Sequence, residues 1–363
     1  TTFAVAYVLN CGMTASLAGV MVAVYTLCAF AGQLLFGALS DRLGRHKPVF
    51  LCGVAALILC NLLFYFHPTG AGALVFYGMI GLLQQPMGVA MDTWVLKSYS
   101  TGMFGRARAC STFGFALLMP LQGWLIGRIG YVAMPILSTG IGLGTLALAL
   151  TLPETRGAAR MQRTGGGFAS LAHLPTLLFL LPVLFLMGVA NAPQIQLTAL
   201  IVSNVGGTVA WQSYVMCVNS IVQSPIMMLS GRLSRIAPQK RLMFAIGSCM
   251  MAITGILLAR TPSALLLCYA FNGLGTGMYL PAMRQLIAEQ APAGLQTTAQ
   301  GMADATYSSL AGMVSMMFSG VLADRYGSAA MECVALSFQV LALLCLTLYM
   351  RKNKTRAAAR VPE

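Results

Sequence analysis

Charge is what this sequence has least of. Of its 363 residues only 8% are Asp, Glu, Lys or Arg, where a soluble domain carries about 25%, and the acids number eight. With 58% hydrophobic residues and a mean hydropathy of +0.79, the chain cannot clothe itself in a water-facing surface and reads as a polytopic membrane protein. Histidine is nearly absent too. His46, His67 and His173 are far apart and form no metal set, and no nucleophile–base constellation stands out, so neither an enzyme nor a metal site is expected. The ten cysteines lie in apolar runs without Cys-x-x-Cys or Cys/His spacing. That removes the zinc and redox motifs and leaves small packing residues. The 24 methionines read as core filler. No glycine-rich loop ends in Lys-Ser or Lys-Thr, so ATP is not the power source. No cofactor is implied.

The net charge of +14 invites a nucleic-acid reading, but its placement argues for topology instead. Taking loops in alternation from the one around Asp41, 19 of the Lys and Arg residues fall on that side and only Arg128, Arg260 and Arg325 on the other. Such asymmetry orients a chain with its basic loops in the cytoplasm. The expected partner of the surface is therefore a lipid bilayer, not nucleic acid. The expected location is the cell inner (plasma) membrane, multi-pass, with a cytoplasmic C-terminus.

One stretch recurs. Gly-x-Leu-x-x-Arg-x-Gly reads as Gly37, Leu39, Arg42, Gly44, again as Gly123, Leu125, Arg128, Gly130, and again as Gly320, Leu322, Arg325, Gly327. A worn copy is Gly231, Leu233, Arg235. Gly37 and Gly231 are 194 residues apart, and Gly123 and Gly320 are 197 apart. The chain is thus a duplication, as expected of transporters built from two repeated halves. Within each half the copies stand 86 or 89 residues apart, room for three spans of roughly 20 residues with loops. In the first copy Asp41 can cap the start of a helix, where N–H groups are unpaired. Gly37 and Gly44 allow close backbone approach, and Arg42 and Arg45 hold the loop on its side of the membrane.

Gly37-x-Leu39-x-Asp41-Arg42-x-Gly44-Arg45 resembles the signature loop of the major facilitator superfamily, between its helices 2 and 3. With the repeat, the resemblance covers nearly the whole chain. It implies an all-α integral membrane fold of two six-helix bundles with pseudo-two-fold symmetry, around a central cavity reached alternately from either side.

The expected organisation is an N-terminal bundle over residues 1–152, a linker at 153–173 with three Arg and Gly165-Gly166-Gly167, a C-terminal bundle over 174–350 and a basic, disordered tail at 351–363. The apolar periodicity predicts span 2 at about 17–39, span 3 at 48–66, span 4 at 72–96, span 5 at 108–127 and span 6 at 131–152. Span 7 is expected at about 174–203, span 8 at 208–230, span 9 at 240–259, span 10 at 263–288, span 11 at 298–322 and span 12 at 328–350. Thr1 to Asn10 is too short to span. The repeat puts the start of span 1 about 20 residues before Thr1, so span 1 is expected to be truncated here.

Ionisable residues inside a bilayer are costly and informative. Asp92 late in span 4 and Arg108 at the start of span 5 lie on consecutive antiparallel spans and can pair, or Arg108 can be one more basic loop residue with Asp92 its surface partner. Asp304 in span 11, with Arg284 on span 10 as a possible partner, reads either as a protonatable coupling site or as a polar residue in the neck of its span. Uncharged candidates for a cavity are Asn191 and Gln194 beside Pro193 on span 7, Asn219 and Gln223 on span 8, and Asn272 and Tyr279 on span 10. Taken singly, such amides equally serve as helix–helix hydrogen bonds. Trp94, Trp124 and Trp211 fall near predicted span ends, as interfacial anchors do.

Asp92, Phe104-Gly105-Arg106-Ala107-Arg108 and Gly114-Phe115 also resemble the span 4–5 segment of the lactose permease-like branch of proton symporters, which takes oligosaccharides, nucleosides and aryl acids. The resemblance implies that Asp92 and Arg108 bind substrate together, with Thr112 and Phe115 further along span 5 and Phe115 stacking on a ring. The second half departs from that pattern, offering neutral residues where the lactose permease carries its coupling acids. The function implied is secondary active transport of a small polar or anionic solute with protons, by a monomer. The alternative is a proton-driven exporter of drugs or metabolites, against which Met119-Pro120 lacks the glycine of the exporters' motif. A non-transporting receptor is a third class, suggested only by the short span 1.

Overall fold

The computed structural model describes residues 2–43, 46–98, 101–151, 175–290 and 296–358. Among them the chain is helical and without strands, as a backbone that must satisfy its own N–H and C=O groups in hydrocarbon requires. Span 2 runs Ala15–Leu43, span 3 His46–Phe66, span 4 Gly70–Ser98, span 5 Thr101–Ile129 and span 6 Ala133–Thr151. Span 8 is Val209–Met228, span 9 Pro238–Leu258, span 10 Pro262–Gln290 and span 12 Ser328–Ala358. A helical piece at Ala4–Asn10 stands where span 1 is expected. Seven stretches of the described residues are long and apolar enough to cross a membrane.

The duplication is visible in the packing. Span 2 packs on span 4, span 3 on spans 4 and 6, and the same pairs recur six spans later as 8 on 10, 9 on 10 and 9 on 12. Spans 3 and 12 are peripheral, with 33% and 28% of their apolar stretches buried, whereas 61% of the stretch in span 7 is buried. The halves meet along two seams, span 2 against span 11 and span 5 against span 8.

Two expectations about boundaries are corrected. Span 5 starts at Thr101 rather than near 108, because no proline between Met103 and Ala107 stops a helix, although the charge at Arg106 reads as loop. Span 12 continues to Ala358, so residues 351–358 of the tail are helical. Lys and Arg are good helix formers and suit the negative end of the helix dipole. Span 7 is broken, with Pro175–Gln196 and Thr198–Asn204 meeting at Leu197, one turn after Pro193. Span 11 comprises Gln296–Asp304, a π-helical turn at Ala305–Leu310 and Ala311–Tyr326. The linker at 153–173 lies outside the described residues.

Cores at the two ends of the bundle differ. One cluster draws on both halves, joining Phe3, Val8, Met21, Tyr77 and Ile126 to Leu197, Ile201, Val215, Tyr269, Met316 and Met331. It lies at the end where spans 3, 5, 7, 9 and 11 finish. Toward the other end, one cluster is made only of second-half residues such as Leu184, Ile246, Met283 and Leu346, and another only of Phe50, Val54, Met87 and Ala149 from the first half. The halves are therefore fused at one end, called here the sealed end, and keep separate cores toward the signature-loop end.

Candidate functional site

The seal is built largely from repeated-motif residues. Gly320, which opens its copy, lies against the Ala15 carbonyl at the start of span 2, so close that a Cβ there would overlap it. A Cβ on the facing Gly19 would lie 2.6 Å from the Met316 carbonyl oxygen. Gly123 opens the second copy and lies equally close to Ser213 of span 8. The copies also end alike: Gly130 (φ +73°) and Gly327 (φ +83°) take positive φ angles, which favour glycine, where each span stops. Between them, Asp324 caps span 2 of the other half. Ala15 N–H donates to its Oδ1 at 2.9 Å, Ser16 N–H donates to its Oδ2 at 2.6 Å, and the Ser16 hydroxyl donates to Oδ2 as well. A carboxylate accepting the orphan N–H groups of a helix start is a strong, charge-assisted contact. Gln212 of span 8 adds a bond from its side-chain N–H to the Thr2 carbonyl, at 3.1 Å.

Away from the seal, spans 2 and 11 diverge. A cavity of about 640 Å³ opens between them, lined by Thr26, Leu27, Phe30 and Gln33 on one side and by Met302, Thr306, Ser309 and Met313 on the other. Gly301 near the far end of span 11 has nothing within contact distance of its Cβ position.

Several predicted residues are brought together on the second half. The Asn191 amide donates to the Tyr307 hydroxyl at 3.2 Å. Tyr307 stacks on Tyr279 with ring centroids 4.1 Å apart and planes 24° apart, linking spans 7, 11 and 10. Both Asp304 and Arg284 lie within electrostatic reach of the Tyr279 hydroxyl. Asp304 is half-buried, eight residues into span 11 and directly before the π-helical turn; such turns occur preferentially at functional sites. Spans 8 and 10 touch backbone to backbone, with Gly273 on the Asn219 carbonyl and a Cβ on Gly277 placed 3.1 Å from the carbonyl oxygen of Gln223. Asn272 is buried with neither its Oδ1 nor its Nδ2 paired, and Asn191 Oδ1 and Asn219 Oδ1 are likewise buried and unpaired. Polar groups left so in a native interior call for an explanation, such as a ligand or water.

Phe115 is 40% exposed on span 5, and Thr112 is half-buried one turn earlier. Gly123 and Ser213 fix the pairing of antiparallel spans 5 and 8, and from there Phe115 and Asn219 lie at similar depth, roughly 9–12 Å in. Asp92 lies six residues before the end of span 4 and Arg108 seven after the start of span 5, so their backbones also stand at matching depth in antiparallel spans. The side chains of Asp92, Arg108, Asp41 and Arg42, the surroundings of Gly37, and the whole of Gly44 and Arg45 lie outside what is described.

Gln194 is placed apart. It is fully buried and bonded within the second half, its side-chain N–H donating to Glu332 of span 12 at 2.6 Å. Sequence reasoning missed Glu332. It stands in the second turn of span 12. Its membership of a very small set of acids, inside a predicted span, was the available signal. Trp124 carries the Arg128 guanidinium 5.7 Å from its ring centroid, a pairing suited to the membrane surface.

The family model described as Major Facilitator Superfamily matches residues 1–316. The maltose permease of Geobacillus stearothermophilus is 24% identical over 341 residues, covering 91% of this chain and 84% of that protein. Among solved structures, the chain is similar in fold to the nucleoside transporter NupG, with a TM-score of 0.77 at 14% identity over 96% of this chain and 93% of that one. It is also similar to the xylose transporter XylE from E. coli in a partially occluded inward-open conformation, with a TM-score of 0.68 at 13% identity over 91% and 86%.

Proposed function

The chain belongs to the major facilitator superfamily, and from that premise we propose that it moves a small polar or anionic solute, of the sugar, nucleoside or aryl-acid kind, together with protons by alternating access. The observation that carries the reading is the set of buried, unpaired amide atoms on Asn191, Asn219 and Asn272, beside the Tyr279–Tyr307 stack. Amides that present both donors and acceptors suit hydroxyls and ring nitrogens, and a tyrosine face suits a sugar or base ring. Names of the similar proteins agree in kind: a maltose permease and nucleoside and xylose transporters.

In this reading Asp92 and Arg108 anchor the solute from the first half, with Thr112 and Phe115 beside them and Asn191, Asn219, Gln223, Asn272 and Tyr279 facing from the second. Asp304 or Asp92 carries the proton, and Arg284 adjusts Asp304. The sealed end faces outward, since the basic residues concentrate at the other end. Gly37, Asp41, Arg42, Gly44 and Arg45 brace the inner end when the halves close there, as the Gly320 copy braces the outer end here. The protein acts as a monomer in the plasma membrane with its C-terminus in the cytoplasm.

A second reading, proton-driven export of less polar compounds, draws on the apolar part of the cavity between spans 2 and 11: Leu27, Phe30, Met302, Leu310 and Met313. One experiment separates the two. Proteoliposomes loaded with a pH dye receive sugars, nucleosides and aryl acids in turn. Internal acidification on adding one solute establishes symport and its class; internal alkalinisation establishes exchange and the second reading. Solute uptake without any pH change removes the proton from both.

A further inference from the structure

Glu332 and Gln194 form a buried pair that is short of one hydrogen. Glu332 is 1% exposed and Gln194 0%. The amide donates one N–H, to Glu332 Oε2 at 2.6 Å. The remaining oxygens, Glu332 Oε1 and Gln194 Oε1, are both buried and both without a donor. Two surplus acceptors on one acid–amide pair have a simple remedy. A proton on Glu332 turns one of them into a donor, and an acid and an amide can then satisfy each other through two bonds in a ring. Without that proton, a carboxylate in a dry interior has a single amide donor to offset its lost hydration.

The pair sits where it can act on shape. The Gln194 backbone carbonyl lies one turn before the break in span 7. It accepts the Tyr269 hydroxyl of span 10 at 2.8 Å and the Thr198 hydroxyl across the break at 2.6 Å. Beyond the break, Thr198–Asn204 packs on the Ala4–Asn10 helix of the first half. Leu197, Ile201, Tyr269 and Met331 belong to the core that joins the halves. Other ionisable groups do not substitute for the proton. Span 7 has none from Pro175 to Asn204. Span 10 offers Tyr269, already donating, and Cys268 behind it. At the same end, Arg260 after span 9 and Arg325 in the last turn of span 11 are exposed, Asp324 is bonded to Ala15 and Ser16, and Cys333 next to Glu332 is exposed.

We infer that Glu332 is a proton-binding site, and that its proton completes the ring with Gln194 and holds the bent outer part of span 7 against the first half. Binding a proton at Glu332 thus favours the sealed arrangement, and losing it loosens the seal. This deepens the proton-coupled reading, but the binding itself needs no solute, so the two can fail separately.

The test uses the full chain in lipid nanodiscs without solute. Infrared difference spectra between acid and alkaline buffer follow the C=O stretch of a protonated carboxyl group. The expected result is a titrating band in the native chain that is lost in Glu332→Gln, whose amide keeps the pairing with Gln194 and the fold, and retained in Asp304→Asn. A label pair at His67 and Thr261, in a background without the native cysteines, reports the seal. The separation should grow with rising pH in the native chain and stay short in Glu332→Gln. A carboxyl band that Glu332→Gln leaves unchanged in intensity, or no carboxyl band in the native chain, overturns the site. A separation that responds to pH equally in both overturns its link to the seal. Silence in the pH-dye assay with the band present would instead defeat the coupled-transport reading alone.

Discussion

Spans 2 and 11 run antiparallel and carry the same eight-residue pattern at opposite ends. At the Gly320–Gly327 end the pattern is at work: Gly320 admits the backbone of span 2 and Asp324 caps its first N–H groups. At the Gly37–Gly44 end the spans have diverged around a cavity of about 640 Å³. Equal sequences at the two ends thus meet unequal surroundings. A glycine crossing with a capping carboxylate is a latch only when the facing helix start is near, and two rigid bundles cannot bring both ends together at once. The local pattern supplies two latches, and the tilt between the halves selects which one is engaged.

The largest effect on that comparison should come from filling the crossing. Gly320→Leu places a side chain where the Ala15 carbonyl already lies. The cost should exceed the usual ~1–3 kcal/mol for overpacking, because backbone must move. The sealed end should open, read as a longer His67–Thr261 label separation, and an unchanged separation would mean that the crossing does not hold the seal. Next in size, Arg108→Gln and Asp92→Asn should each weaken solute binding by roughly 30-fold or more, in line with about 2–5 kcal/mol for breaking a buried charge pair. The double substitution should be little worse than either single one. Binding that survives both, measured by solute-induced thermal shift, would make the pair structural.

Gln194→Ala should lower the stability of the second half by about 1–3 kcal/mol, since it leaves the Glu332 carboxyl buried without a donor. Asn272→Ala removes an amide with no partner in the protein and should cost less stability while weakening solute binding. Equal melting shifts would erase that distinction. The smallest effects sharpen the latch comparison by their sign. Asp324→Ala should loosen the sealed end and Asp41→Ala should favour it, each by about 1 kcal/mol for a lost helix cap. Shifts in the same direction would show that the two copies are not opposed.

Much of the fold was legible. The spacing of Gly37, Gly123, Gly231 and Gly320 disclosed the halves, and apolar runs located the spans within a few residues at most ends. The errors share a cause. Arg106 was treated as a loop residue because charge usually marks a loop, yet long basic side chains are compatible with a helix near the membrane surface, and span 5 begins earlier. Of the site, Asn191 and Tyr279 were legible as polar residues on apolar spans, and Asn219 and Asn272 likewise. Gln194 looked identical to them in sequence, but its position one turn before the break turns it toward Glu332.

The sequence by itself determined that this chain is a membrane protein, that it is a doubled set of helices, and which loops carry the positive charge. Composition, period and charge are properties of neighbours along the chain. Only the tertiary structure decided which end is sealed and which acid is buried without a cation. Both depend on contacts between residues 308 and 309 positions apart at Ser16, Ala15 and Asp324, and 138 apart at Gln194 and Glu332. No local pattern encodes such distances, because they are set by how the two bundles tilt and which faces they bury.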